Sequence, residues 1–268
     1  MDRGKMKSRT GLLLYRCMWL AEKMLQPTLR NGISSFDDWA SRTGLWRDIQ
    51  RLEGLRMVEV SGDTAGQNLD RVIRLTELGR TMALGGVLPP ERWNRGWDGK
   101  WRLAVFDIPE SARRKRTQLR GWLEAAHFGA LQRSVWISPD PVDELAHSLQ
   151  AETADCGSLT VFEGGTCLGE QVADIVAAAW NFPKVAAAYA KWQAHADQSA
   201  NLPKRNALGA WHAWGDRERI LWQECLAIDP LLPRELWLKD YPGETAWNRR
   251  LQLLAKAAGH AIPNQHPG

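Results

Sequence analysis

Arg47, Gln50 and Arg51 recur at three- and four-residue spacing, which sets two guanidinium groups and one amide side by side on one face of a helix. These are the groups able to make paired hydrogen bonds with guanine and adenine edges in a DNA major groove. Leu45, Ile49 and Leu52 fall on the opposite face, so the helix can be clamped to a core by one side and present the other. The same Arg and Gln side chains also suit an ordinary solvated helix face, and what stands around them has to decide.

The surrounding elements favour a reading helix. The spacing predicts it over 45–55, with Gly44 closing the turn before it. Ser34 or Ser35 can cap the preceding helix, Asp37 and Asp38 suit its first turn, and Phe36, Trp39 and Ala40 supply its core contacts. A longer helix over 10–26 carries Leu13, Cys17, Leu20 and Met24 on one face and stops at Pro27. After the reading helix come two β-rich runs, 57–60 and 71–75, joined by the polar stretch 62–70 and followed by Thr76, Gly79 and Arg80. This order is that of a winged helix-turn-helix. Arg47, Gln50 and Arg51 are then expected to read bases, and Arg42, Thr43, Arg71 and Arg74 to touch phosphates. Asp63 and Asp70 at the hairpin tip oppose phosphate contact, and Arg56 stands where winged helices commonly place Gly.

Composition bounds the rest. The 268 residues are 44% hydrophobic and 25% charged, enough for two or three domains with their own cores. Residues 11–21 form an apolar run after a basic start, but Arg16 interrupts it and it is too short to span a membrane, so a buried helix and no membrane partner are expected. Cys17, Cys156, Cys167 and Cys225 make no C-x-x-C pair and have no His at metal spacing, which argues against a zinc site and a disulfide framework and fits the reducing cytoplasm. The net charge of +4 is uneven: residues 1–95 hold 16 Lys and Arg against 11 Asp and Glu, and the remainder 19 against 20. The basic excess thus lies in the part that reads as DNA-binding.

Residues 85–99, with prolines, glycines and tryptophans in a polar setting, read as a linker. Beyond them a strand from Lys100 to Asp107, an amphipathic helix over 111–127, strands near 128–131 and over 132–138, a helix over 142–151 and a strand over 158–162 predict a ferredoxin-like βαββαβ sheet with helices on one face. That defines a domain over 100–168, expected to dimerise. Residues 169–260 read as helical, with Val172, Ile175, Val176, Ala179 and Trp180 on one stripe, further helices over 185–196 and 218–227, and a last helix capped by Gly259; 261–268 read as a tail. The fold class expected is α+β, with the winged helix occupying 1–84. Trp211, His212 and Trp214 could line a ligand pocket, although Trp at helical spacing usually lies in a core. His127 and His147 have no partner ligands at useful spacing, and Gly164-Gly165 reads as a turn because no Gly-Lys-Ser/Thr follows.

Short motifs then coincide in order: WDGKWRLAVFDIPE at 97–110, Phe128-Gly129, SVWISP at 134–139, DPLLP at 229–233 and Tyr241-Pro242-Gly243. Together they make nearly the whole chain resemble the PaaX family of bacterial transcriptional regulators. The resemblance implies a homodimeric repressor that binds palindromic operator DNA, uses no cofactor, and is released by an aryl- or acyl-CoA thioester such as phenylacetyl-CoA. The central segment is also similar to the small ferredoxin-like nuclease of CRISPR adaptation, whose first strand likewise ends in aspartate. That second resemblance implies an alternative, a metal-dependent nuclease in which Asp107 holds a divalent ion, Glu110 helps, and Arg113, Arg114, Lys115 and Arg116 hold the DNA backbone. The plain alternative is that Asp107 caps the helix that follows and the cations form a solvated face.

Overall fold

The computed structural model describes residues 45–61, 72–141, 158–166, 168–169, 171–198 and 208–261. The expected helices over 10–26 and after Ser34, the hairpin tip, and the helix over 142–151 lie outside them. The described elements are α1 (Leu45–Gly54), β1 (Val58–Ser61), β2 (Val72–Leu75), α2 (Glu77–Ala83), α3 (Pro89–Trp93), β3 (Trp101–Asp107), α4 (Arg113–Ala125), β4 (Gly129–Gln132), β5 (Val135–Ser138), β6 (Ser158–Gly164), α5 (Val172–Ala179), α6 (Phe182–Gln198), α7 (Leu208–Leu226) and α8 (Gly243–Ala261). This is the expected α+β mixture. The chain divides into two compact units, one drawing on residues 1–88, 198–219 and 249–268, the other on 89–197 and 220–248. The helical stretch expected at 169–260 is therefore shared between them.

In the first unit, α1 buries Ile49 and Leu52 and ends in a tight turn. The Met57 N–H donates to the Leu52 carbonyl at 2.9 Å and the Arg56 N–H to the Glu53 carbonyl at 2.8 Å, the two bonds of a Schellman ending. Leu52 and Met57 close it in a common core with Val58 and Ala83. Such an ending puts one residue in the left-handed region, and here it is Arg56, at φ +56°. A residue with a Cβ costs about 1 kcal/mol there relative to one without.

The next segment is built around that turn. β1 and β2 pair antiparallel, Val58 opposite Leu75 and Ser61 opposite Val72. Thr76 donates its N–H to the Met57 carbonyl at 3.1 Å and its hydroxyl to the Arg56 carbonyl at 2.7 Å. The same hydroxyl accepts from the Gly79 N–H at 3.0 Å and so caps α2. A Cβ on Gly79 would lie 1.9 Å from the Met57 carbonyl oxygen, so only glycine lets α2 rest on this turn. The same unit holds a fully buried ion pair. Arg250 of α8 grips Glu218 of α7 through Nε at 2.6 Å and Nη2 at 3.2 Å, and gives its remaining nitrogen to the Leu84 carbonyl at 2.8 Å, just past α2.

The second unit is organised by an antiparallel sheet of order β4-β5-β3-β6, the order that a βαββαβ chain produces. Ala104, Phe106 and Trp136 pack with Leu119 and Leu123 of α4 on one face. Trp101 and Ile137 pack with Ile175, Val176, Ala179 and Trp180 of α5, and with Leu232 and Leu236, on the other. Helical structure thus covers both faces, not one as the pattern predicts, because β3 is apolar on both sides, Trp101 and Leu103 alternating with Ala104 and Phe106. Gly129 explains the Phe-Gly motif, since a Cβ there would sit 2.6 Å from the Trp180 ring and 2.7 Å from the Ala179 methyl.

Residues 85–99, expected as a linker, instead hold α3, whose Trp93 is 1% exposed. Asp98 accepts the Lys100 N–H at 3.0 Å across Gly99 and pairs with Arg102, which is 3% exposed and reaches Glu163 as well. The WDGKWR motif is therefore a clamp on the start of β3. The helix expected to begin at Glu218 begins at Leu208, continuing through the buried Gly215, and Trp214 lies in the core, as its spacing allows. Gly259, expected as a cap, falls inside α8, which runs to Ala261.

Candidate nucleic-acid interface

Ten residues of α1 span about 15 Å at 1.5 Å each. Along them Arg47, Gln50 and Arg51 are all exposed, opposite the buried Ile49 and Leu52. Among the described residues nothing ties up their polar groups, so the helix presents two guanidiniums and an amide together. Arg74 is also exposed, on the outward face of β2, but it stands directly opposite Glu59, whose carboxylate is exposed beside it. Arg42, Thr43 and Arg71 lie outside the described residues. Arg56, singled out in the sequence only as a departure, and Arg80 on α2 add exposed cations to this unit. The exposed carboxylates Glu53 and Glu77 are interspersed with them.

In the second unit, Asp107 ends β3 opposite Ser158 and is exposed. The expected capping by Asp107 is not made: Pro109 and Ala112 occupy the cap positions of the 3-10 turn and of α4, and neither receives a side-chain bond. Arg116 folds back to the Ile108 carbonyl at 2.9 Å and lies 3.7 Å from the exposed Glu110. Arg113 and Arg114 line an open hollow of about 660 Å³ with Thr117 and Gln118. No group of three His, Cys, Asp or Glu side chains among the described residues is placed to hold a metal ion.

The motifs near the C-terminus build a buried polar hub rather than a reactive site. Asp229, fully buried, accepts from the Tyr189 hydroxyl at 2.5 Å, the Tyr241 hydroxyl at 2.7 Å and the Leu231 N–H at 2.9 Å. The Trp93 indole N–H donates to the Tyr241 hydroxyl at 3.0 Å. Burial pushes the Asp229 carboxyl above its ordinary range, against the three donors. Beside the hub, Asp140 holds Arg92 at 2.5 Å and Arg95 at 2.6 Å, and Arg95 also donates to the Leu231 and Arg92 carbonyls. His127, next to these arginines, is pushed down to about 4, first by burial and then by the charge of Arg92. Its main chain is the left-handed end of α4, at φ +63°, and its carbonyl accepts from the Trp180 indole at 3.2 Å.

The architecture is that of an α+β protein with a ferredoxin-like sheet and a separate helix-and-hairpin module. Residues 94–176 match the PaaX protein central Cas2-like domain and residues 180–262 the PaaX-like protein C-terminal domain. The chain belongs to the PaaX family, as its motifs imply, and this membership is consistent with a transcriptional regulator. No curated protein matches it. Among solved structures it is similar to "Uncharacterized protein Rv0674 from Mycobacterium tuberculosis", at 19% identity and a TM-score of 0.54 over 95% of this chain and 97% of that one, a likeness of fold. No helix among the described residues is long and apolar enough to cross a membrane.

Proposed function

We propose that this chain is a DNA-binding transcriptional regulator, a homodimeric repressor of a catabolic operon that releases its operator when a small effector such as an aryl- or acyl-CoA thioester binds. The observation that carries the reading is α1, which exposes Arg47, Gln50 and Arg51 together, is clamped by Ile49 and Leu52, and runs into an antiparallel hairpin. With the expected helices ahead of it, α1 is the recognition helix of a winged helix-turn-helix spanning 1–84. Arg47, Gln50 and Arg51 read base edges; Arg42, Thr43, Arg71 and Arg74 hold phosphates, Arg74 the least of them because Glu59 faces it. The ferredoxin-like sheet joins two copies and sets the spacing of operator half-sites. An effector acts by binding one geometry of the dimer better than the other, since only differential binding moves the equilibrium.

Family membership supports this reading over the nuclease alternative, for which the second unit offers the exposed Asp107 and Glu110. The deciding experiment is selection of bound fragments from sheared genomic DNA with the full-length protein, followed by release with a panel of acyl-CoA thioesters. Enrichment of a palindromic site, displaced by one thioester, is the expected result. Absence of any enriched sequence, or Mg²⁺- or Mn²⁺-dependent cleavage of the DNA abolished by Asp107→Ala, overturns it.

A further inference from the structure

Three described residues other than glycine adopt positive φ: Arg56 at +56°, His127 at +63° and Leu231 at +49°. Two of them are built into the interior. Leu231 is 0% exposed, its N–H held by Asp229 and its carbonyl by Arg95. His127 is half-buried beside Asp229 and Asp140, and its carbonyl accepts from the Trp180 indole N–H. Each places its own side chain inside the fold, against neighbours that offset the backbone conformation.

Arg56 does not. Its peptide is fixed by bonds that any residue could make, the N–H to Glu53 and the carbonyl from Thr76. Its side chain is exposed and meets no partner among the described residues, although the exposed Glu53 stands three residues before it. Glycine would suit the backbone of this turn better, and among the described residues no contact of the Arg56 side chain offsets the difference. A strained residue whose side chain meets nothing among the described residues points to a contact made elsewhere.

Geometry says what that contact is. A helix of about 15 Å lying across a major groove about 12 Å wide brings its ends to the sugar-phosphate rims. Arg56 is the second residue beyond the C-terminal end of α1 and carries the guanidinium that matches a phosphate in charge and shape. We infer that Arg56 is a phosphate-contacting residue of the DNA interface, kept at the expense of fold stability. The inference rests on the reading of α1 as the recognition helix. The contact anchors α1 in the groove without contributing to sequence choice.

The test uses the full-length protein, a 30-base-pair duplex of random sequence and the site selected from genomic DNA, with affinity measured across a salt series and thermal melting alongside. Arg56→Gly is expected to melt about 2 °C higher, to bind both duplexes roughly tenfold more weakly, and to lower the slope of log affinity against log salt by about one. Arg56→Lys, which keeps the charge, is expected to restore most of the affinity and the slope. If Arg56→Gly melts higher but binds with unchanged affinity and slope, the inference is wrong while the recognition-helix reading stands. If the wild-type protein binds neither duplex, or Arg47→Ala and Arg51→Ala leave binding intact, both fall.

Discussion

Arg250 and Glu218 face each other with neither side chain exposed, joined by bonds of 2.6 and 3.2 Å. Two charges removed from water hold each other there, and Arg250 gives a further N–H to the Leu84 carbonyl. Glu218→Gln is expected to destabilise the protein by about 3 to 5 kcal/mol, since it removes the charge that balances a buried guanidinium. The paired change Glu218→Met with Arg250→Met is expected to recover most of that loss. Urea denaturation of the three proteins measures both effects, and a double variant no better than the single one would contradict the account.

Thr76 and Gly79 make a second test within the same unit. Thr76→Val removes the cap on α2 and the bond to the Arg56 carbonyl, for an expected loss of about 1 to 2 kcal/mol. Gly79→Ala is expected to be worse, because its methyl would meet a backbone oxygen at 1.9 Å rather than a side chain able to turn away. Parallel melting curves that ranked Thr76→Val as the more damaging change would oppose this picture.

The histidine in the second unit predicts a pH dependence. His127 titrates at about 4 in the folded chain and at its ordinary 6.5 when unfolded. Between those values the unfolded chain binds a proton that the folded chain refuses, so stability rises with pH across the window and is lost as pH falls from 6.5 toward 4. The slope from this group is about 1.4 kcal/mol per pH unit. Asp229, with its carboxyl raised, contributes in the opposite sense and is present in both proteins of a comparison. His127→Asn, which tolerates the left-handed backbone, should therefore show a shallower rise than the wild type between pH 4 and 6.5. Equal slopes would place the titration elsewhere.

For the reading face, Arg47→Ala and Arg51→Ala are each expected to weaken binding to the selected site by about 1 to 3 kcal/mol and to relax preference at particular bases. Arg74→Ala is expected to do less, because Glu59 already faces that guanidinium. Competition binding with single-base variants of the site separates the two kinds of loss.

What was legible in the sequence follows the physics of each signal. Helix α1 and its buried stripe are visible because Ile49 and Leu52 repeat against Arg47, Gln50 and Arg51, and the sheet because its strands carry short β-rich runs. The burial of residues 85–99 was not, since prolines and glycines suit a linker, while the bonds that hold this stretch, Trp93 to Tyr241 and Arg95 to Leu231, cross well over a hundred residues. The covering of the second sheet face was hidden for the same reason. Arg56 stands out in the sequence as an anomaly, but the Thr76 hydroxyl that bonds its carbonyl is twenty residues away.

Gly79 has a mechanical consequence for this unit. With a helix backbone seated directly on the Met57 carbonyl, there is no side-chain cushion between α2 and the turn that ends α1. Any side chain at position 79 would have to part α2 from that turn, so the seat of α1 and the start of α2 are set by one backbone contact.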